Sequence, residues 1–164
     1  MNRFALAVLV PVCLVTMGSY CEVDVIDDPG FQFWCGETLC AWTVEQGAVR
    51  KVPTWHEHDY AVELVGSPVV ISQQAAEGFG YCVRIELIAD VETSAMLTIE
   101  IDYGGDGSID WTSPVSREGF RSLAWEVRPG SEANSDSIFI VRKSGEGRAV
   151  LTQLRAYERC YGDL

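Results

Sequence analysis

Two stretches of this chain bring together residue types that bind metal ions. The first is the segment 55–60, Trp-His-Glu-His-Asp-Tyr, which holds the only two histidines of the chain. In an extended segment His56 and His58 project to the same side, and a two-histidine metal site needs this arrangement. The alternative interpretation is a solvated loop that precedes a strand beginning at Tyr60.

The second stretch, from Asp102 to Asp110, resembles the calcium loop of an EF-hand. Asp102, Asp106 and Asp110 occupy its first, fifth and ninth places. The third place is Gly104 instead of an acid, and the twelfth is Ser113 instead of the glutamate that closes such a site. Weak calcium binding is one interpretation, and a glycine-rich hairpin with solvated acids is the other. We expect no other cofactor.

Exposed aromatic rings point to a different chemistry, since flat rings stack on the apolar faces of sugars. Trp55 and Trp111 lie in polar, turn-rich sequence, and together with Tyr60 and Tyr103 they are our candidate ligand-binding residues. Trp125 is in phase with the apolar residues of its own strand, so we expect it in the core. For each of the four candidates, packing inside the protein is the alternative.

Catalytic motifs do not stand out. The chain has no Gly-x-Ser-x-Gly elbow, no His-Glu-x-x-His and no phosphate-binding loop. Glu86 and Glu100 occupy polar positions of two predicted strands, where paired carboxylates would serve a glycoside-active enzyme. Surface acids explain them as well, and we expect no enzyme.

The first 20 residues have the character of an export signal. Arg3 precedes an apolar run over 4–17 that Pro11 interrupts, and this run is too short for a membrane span. Cleavage before Ser19 is one outcome, and a lipidated Cys21 at the mature N-terminus is the other. The segment 18–21 partly resembles a bacterial lipoprotein box, from which bulky Tyr20 departs.

The cysteine count favours lipidation. Cys13 leaves with the signal, so a lipid on Cys21 leaves an even number of cysteines that can pair. These four are Cys35, Cys40, Cys82 and Cys160. The short loop between the first two predicts the pairs Cys35–Cys40 and Cys82–Cys160, with a four-cysteine zinc site as the alternative.

Residues 21–28 form an acidic tether, and residues 29–164 form one domain in which polar and apolar residues alternate. The pattern predicts an all-β, antiparallel β-sandwich of about eight to ten strands, stapled by disulfides. A net charge of −12 disfavours nucleic acid as a partner. The predicted strands are 42–45, 48–52, 60–65, 69–73, 81–89, 96–103, 109–112, 120–127, 137–142 and 149–157.

A family resemblance agrees with this fold. Pro29-Gly-Phe-Gln32, Trp42 before Gly47, the run 60–66 and the run 70–73 look like the motif order of galactose-binding-like jelly-roll domains among carbohydrate-binding modules. The resemblance implies a jelly roll with a glycan partner. The family's structural calcium is not carried over, because Gln32 replaces a glutamate and the segment 150–154 lacks the aspartate.

We therefore expect an exported, lipid-anchored, non-catalytic protein of the cell envelope, with a structural or protein-interaction role. Its partners would be the membrane, through the lipid, and an envelope protein or a glycan. The first alternative is a carbohydrate-binding module that presents Trp and Tyr to a glycan. A glycoside-active enzyme is the second alternative, and a secreted soluble protein is the alternative location.

Overall fold

The computed structural model describes residues 24–56, 59–79, 82–113, 118–128 and 136–158. Within these ranges the protein is all-β, as predicted, and no helix is long and apolar enough to cross a membrane. The strands of the described residues are β1 (Trp34–Cys35), β2 (Thr38–Leu39), β3 (Thr43–Pro53), β4 (Tyr60–Gln74), β5 (Val83–Val91), β6 (Met96–Asp102), β7 (Trp111–Thr112), β8 (Gly119–Val127), β9 (Ile138–Ser144) and β10 (Ala149–Glu158).

Eight of these strands form one antiparallel sheet in the order β7-β6-β9-β4-β10-β5-β8, and β3 pairs with β4. The sheet curls into a sandwich because β3 and β4 run through both layers. The first part of β4 pairs with β10, and its last part, Val69 to Gln74, pairs with β9. The first layer therefore holds β7, β6, β9 and the end of β4, and the second holds β8, β5, β10 and the start of β4.

The two bends correct the predicted strand list. The predicted strands are interrupted at Gln46-Gly47 and at Gly66-Ser67-Pro68, but each of these segments lies inside one continuous strand. Gly47 has a φ of 80°, and a Cβ there would press on Val69 across the ladder, so glycine allows β3 to bend against β4. The turn residues thus mark where a strand passes from one layer to the other.

The core lies between the layers and follows the predicted alternation. On β5, Val83, Ile85, Leu87 and Ala89 are buried, and β8 adds half-buried Trp125 as expected. The other layer contributes buried side chains from β4, β6 and β9. These are Val69, Ile71, Leu97, Ile99, Ile101, Phe139 and Val141.

Residues 24–28 correct the predicted domain boundary. We expected them in an extended tether, but Val25 and Ile26 are buried in the core. The Val25 N–H donates to Ala156 O at 2.7 Å, and Asp24 bridges Tyr157. Burial of two apolar side chains outweighs the solvation that an acidic tether would gain, so the domain includes this segment.

One of the two predicted disulfides lies within the described residues. Cys35 and Cys40 form a disulfide with a Cα–Cα distance of 5.2 Å, which confirms that pairing and closes the short β1–β2 hairpin. Cys82 is also disulfide-bonded. Its predicted partner Cys160 and the lipidation candidate Cys21 lie outside the described residues, so both of those assignments stay predictions.

Candidate functional site

Four aromatic residues lie on the β1–β2 and β3–β4 hairpins, close to where these two hairpins meet. We call this surface the aromatic end and define it by Phe33, Trp34, Trp55 and Tyr60. Gln32 joins the two hairpins, since its side-chain Nε2 donates to Tyr60 O at 2.7 Å and its Oε1 accepts from the Tyr60 N–H at 3.1 Å. The surface is thus built on two hydrogen-bonded elements.

Trp34 is held in a fixed position. Its indole Nε1 donates to Phe31 O at 2.8 Å, and the ring packs on the core while staying partly exposed. The Cys35–Cys40 disulfide closes the hairpin directly after it, and the Cys40 N–H donates to Phe33 O at 2.9 Å. Phe33, the neighbour of Trp34, remains 59% exposed.

Lys51 lies between two rings of this surface. Its ammonium is 3.7 Å from the centroid of Tyr60 and 5.7 Å from the centroid of Trp34. Both distances are within the range of cation–π attraction. The lysine side chain therefore ties the rings of Trp34 and Tyr60 into one cluster.

Trp55 lies at the tip of the β3–β4 hairpin and is 86% exposed. The hairpin narrows below it, where the Thr54 N–H donates to Asp59 O at 3.0 Å. The indole contacts only one ring among the described residues, that of His56, at a centroid distance of 3.4 Å. A tryptophan this exposed gains little from burial in the fold, so its ring is available to a ligand.

The other two aromatic candidates are not part of this surface. Tyr103 is 6% exposed and packs edge-on against Phe79, with ring centroids 6.2 Å apart. Trp111 is half-buried and packs against Trp125 across the gap between the sheet's two edge strands, at 6.2 Å. We expected both as stacking residues. Tyr103 instead packs inside the core, and Trp111 packs at the edge of the core.

The three aspartates of the EF-hand-like segment accept hydrogen bonds from main-chain N–H groups. Asp102 is 2% exposed, and its carboxylate accepts N–H groups from Gly104, Asp106 and Gly107 at 2.7–3.2 Å. Asp110 accepts the Tyr103 N–H at 2.7 Å, and Asp106 accepts that of Ser108 at 2.8 Å. The carboxylates thus brace a tight hairpin, and weak calcium binding by this segment stays a prediction.

Of the two histidines predicted as a metal pair, only His56 lies among the described residues. His56 stacks on Trp55 in the hairpin tip, and His58 lies outside the described residues. Across the described ranges, no group of three His, Cys, Asp or Glu side chains is arranged to hold a metal ion.

A shallow depression of about 350 Å³ lies on the outer face of the first layer. Arg142 on this face pairs with Glu100 through two nitrogens, at 3.0 Å each, and these hydrogen bonds raise the pKa of Arg142. Ser72 donates to Glu45 at 2.7 Å. The depression is lined by Glu45, Val70, Ser72, Asp102, Gly105, Asp106, Gly107, Ile138, Ile140 and Arg142, with no aromatic ring among them.

Glu86 and Glu100 do not form a carboxylate pair across one cleft. Glu86 is on β5 and Glu100 on β6, and three other strands separate these two in the sheet. Hydrogen bonds from Arg84 and Tyr157 lower the pKa of Glu86, while Glu100 is bound by Arg142. Each acid is already neutralised by its own arginine.

Comparison with known proteins agrees with this fold. No family model and no curated protein matches the chain. Among solved structures, a family 61 carbohydrate-binding module in complex with β-1,4-galactotriose matches with a TM-score of 0.58 and 16% identity, over 84% of this chain and 99% of that one.

Two further structures are similar. A family 4 carbohydrate-binding module has a TM-score of 0.59 and 13% identity, over 82% of this chain and 99% of that one. A module from Cellvibrio mixtus lichenase 5A in complex with cellotriose has a TM-score of 0.51 and 14% identity, over 72% and 91%. The chain therefore has the jelly-roll fold of carbohydrate-binding modules, as its motif order suggested.

Proposed function

We propose that this protein is a non-catalytic carbohydrate-binding module and that the aromatic end is its glycan site. The observation that carries the proposal is the 86% exposed indole of Trp55, on the hairpin that also presents Tyr60. Exposed flat rings bind the apolar faces of sugars, and neighbouring polar groups then select hydroxyls. The fold shared with sugar-binding modules supports this function over the purely structural role that we expected first.

The depression on the first layer is a weaker candidate. Several of its polar groups already have partners, since Arg142 binds Glu100 and Ser72 binds Glu45. A sugar would have to break these pairs without gaining a ring to stack on. At the aromatic end, a sugar can stack on the Trp55 ring without breaking such pairs.

Binding to a glycan panel tests the proposal. The panel consists of β-1,4-galactotriose, cellotriose and xylohexaose, which are the sugars in three solved structures that contain a similar fold. We expect Trp55→Ala to lower the affinity for the bound sugar at least about fivefold, since one lost stacking contact is worth on the order of 1 kcal/mol or more. The measurement is isothermal titration calorimetry of the wild type and the variant.

Phe120→Ala is the matched control. Phe120 is an aromatic residue that is 63% exposed on β8, three strands away from β4 in the sheet. Its removal should leave the affinity unchanged. If Trp55→Ala binds like the wild type while Arg142→Ala loses binding, the glycan site is the depression and the aromatic end is not.

We further propose that the protein is exported and that Cys21 carries a lipid, on the sequence pattern and the cysteine count given above. Asp24 already packs on the domain, so a lipid on Cys21 would hold the sandwich close to the membrane. The intact mass of the membrane-extracted protein tests this. A species that begins at Ser19 without added lipid would contradict it.

A further inference from the structure

Lys51 occupies a position that bears on which glycans the aromatic end selects. The side chain is half-buried, and its ammonium lies against the rings of Tyr60 and Trp34. Within the described ranges, no carboxylate forms an ion pair with it. Glu37 and Asp59, two described acids near this surface in the chain, are exposed and form no ion pair with Lys51.

Three described arginines differ from Lys51, because each of them binds a carboxylate. Arg50, its neighbour on β3, binds Glu63 at 2.7 Å, and Arg142 and Arg155 bind Glu100 and Asp24 at 3.0 Å. Among the residues that the structure describes, Lys51 has aromatic partners and no carboxylate partner, so its charge is not neutralised by a described acid. Partial burial strengthens the attraction of such a charge for an incoming anion.

From this geometry we infer that the aromatic end prefers glycans that carry carboxylates, that is, glycans with uronic acid units. The inference rests on the proposed glycan site. The ring of Trp55 binds a sugar face, and the Lys51 ammonium, which lies on the ring of Tyr60, binds a carboxylate of the same or the next sugar. The two rings hold the ammonium in place, so little side-chain entropy is lost when the acid binds.

A matched pair of ligands tests the inference. Cellotriose and the β-1,4-linked glucuronic acid trimer differ only at C6, where the second carries a carboxylate. We expect the uronic acid trimer to bind at least about fivefold more tightly, and added salt to weaken its binding but not that of cellotriose. Lys51→Met keeps the length of the side chain and removes the charge, so it should cancel the preference. Lys51→Arg should retain it.

The outcomes separate the inference from the proposed function. If cellotriose binds in a Trp55-dependent way but the uronic acid trimer binds equally or more weakly, or if Lys51→Met changes nothing, the inference is overturned and the glycan site stands. If neither trimer and no other member of the glycan panel binds, both are overturned. Thermal unfolding of the Lys51 variants confirms that each is folded before its affinity is measured.

Discussion

The turn that carries the aromatic end depends on one buried carboxylate. Asp28 is 2% exposed, and its Oδ1 and Oδ2 accept the N–H groups of Gln32 at 2.8 Å and Phe33 at 3.0 Å. The same residue's carbonyl accepts the indole N–H of Trp42 at 3.2 Å. The turn also holds Phe31 at a φ of 55°, which costs a non-glycine residue about 1–2 kcal/mol. We therefore expect the carboxylate of Asp28 to stabilise the turn against this strain.

The size of the effect follows from the two bonds. A hydrogen bond to a charged acceptor contributes about 1.5–3 kcal/mol. Asp28→Ala removes both bonds and should lower the free energy of unfolding by about 4 kcal/mol. Asp28→Asn keeps one acceptor oxygen, so its loss should be on the order of half as large, about 2 kcal/mol.

Urea unfolding followed by tryptophan fluorescence measures both losses. Asp90→Ala is the control, since Asp90 is an exposed residue of β5, and its removal should change the free energy of unfolding by less than about 0.5 kcal/mol. An Asp28→Ala protein with the urea midpoint of the wild type would refute the reasoning. So would an Asp28→Asn loss as large as that of Asp28→Ala, because one oxygen would then contribute nothing.

Three further predictions concern other parts of the fold. Burial, with the charge of Asp110 as a second cause, raises the pKa of Tyr103 from 10.0 to about 12. The unfolded chain ionises at the lower value, so this tyrosine's contribution to stability should be lost as pH rises from 10 to 12, and a tyrosinate absorbance titration that shows it ionising near 10 would contradict this. Gly145→Ala should cost at least about 2 kcal/mol more than Gly107→Ala in urea unfolding, because both have positive φ but only at Gly145 would a Cβ overlap the Ser94 carbonyl. Excess calcium should leave the melting temperature unchanged, because the Asp102 carboxylate already serves three N–H groups, and a rise would instead support weak calcium binding by this segment.

The fold could be predicted where alternation in the chain reflects burial on one face of a strand. The buried residues from Val83 to Ala89 and from Leu97 to Ile101 follow their predicted phase. The bends at Gly47 and Gly66 could not be predicted as bends. Turn-forming residues show that the chain leaves the extended conformation, but not that the hydrogen-bond ladder resumes in the other layer.

The site was predictable only in part, for a related reason. Trp55 and Tyr60 lie in one hairpin, so their proximity is visible in the sequence. Trp34 and Lys51 reach the same surface through the pairing of distant segments, which no local pattern reports. Tyr103 shares the phase of Ile99 and Ile101 in the predicted strand 96–103, and this phase indicates the core position that it occupies.

The central claim, a glycan site at the aromatic end, is tested most directly by following tryptophan indole N–H resonances during titration with the glycan panel. The account predicts that a bound sugar shifts the indole signals of Trp55 and Trp34, while those of Trp42, buried at 3% exposure, and of Trp125 stay in place. Shifts confined to the backbone of the first-layer depression, at Ile140 and Arg142, would contradict the claim. So would unchanged spectra with every glycan of the panel and with the uronic acid trimer.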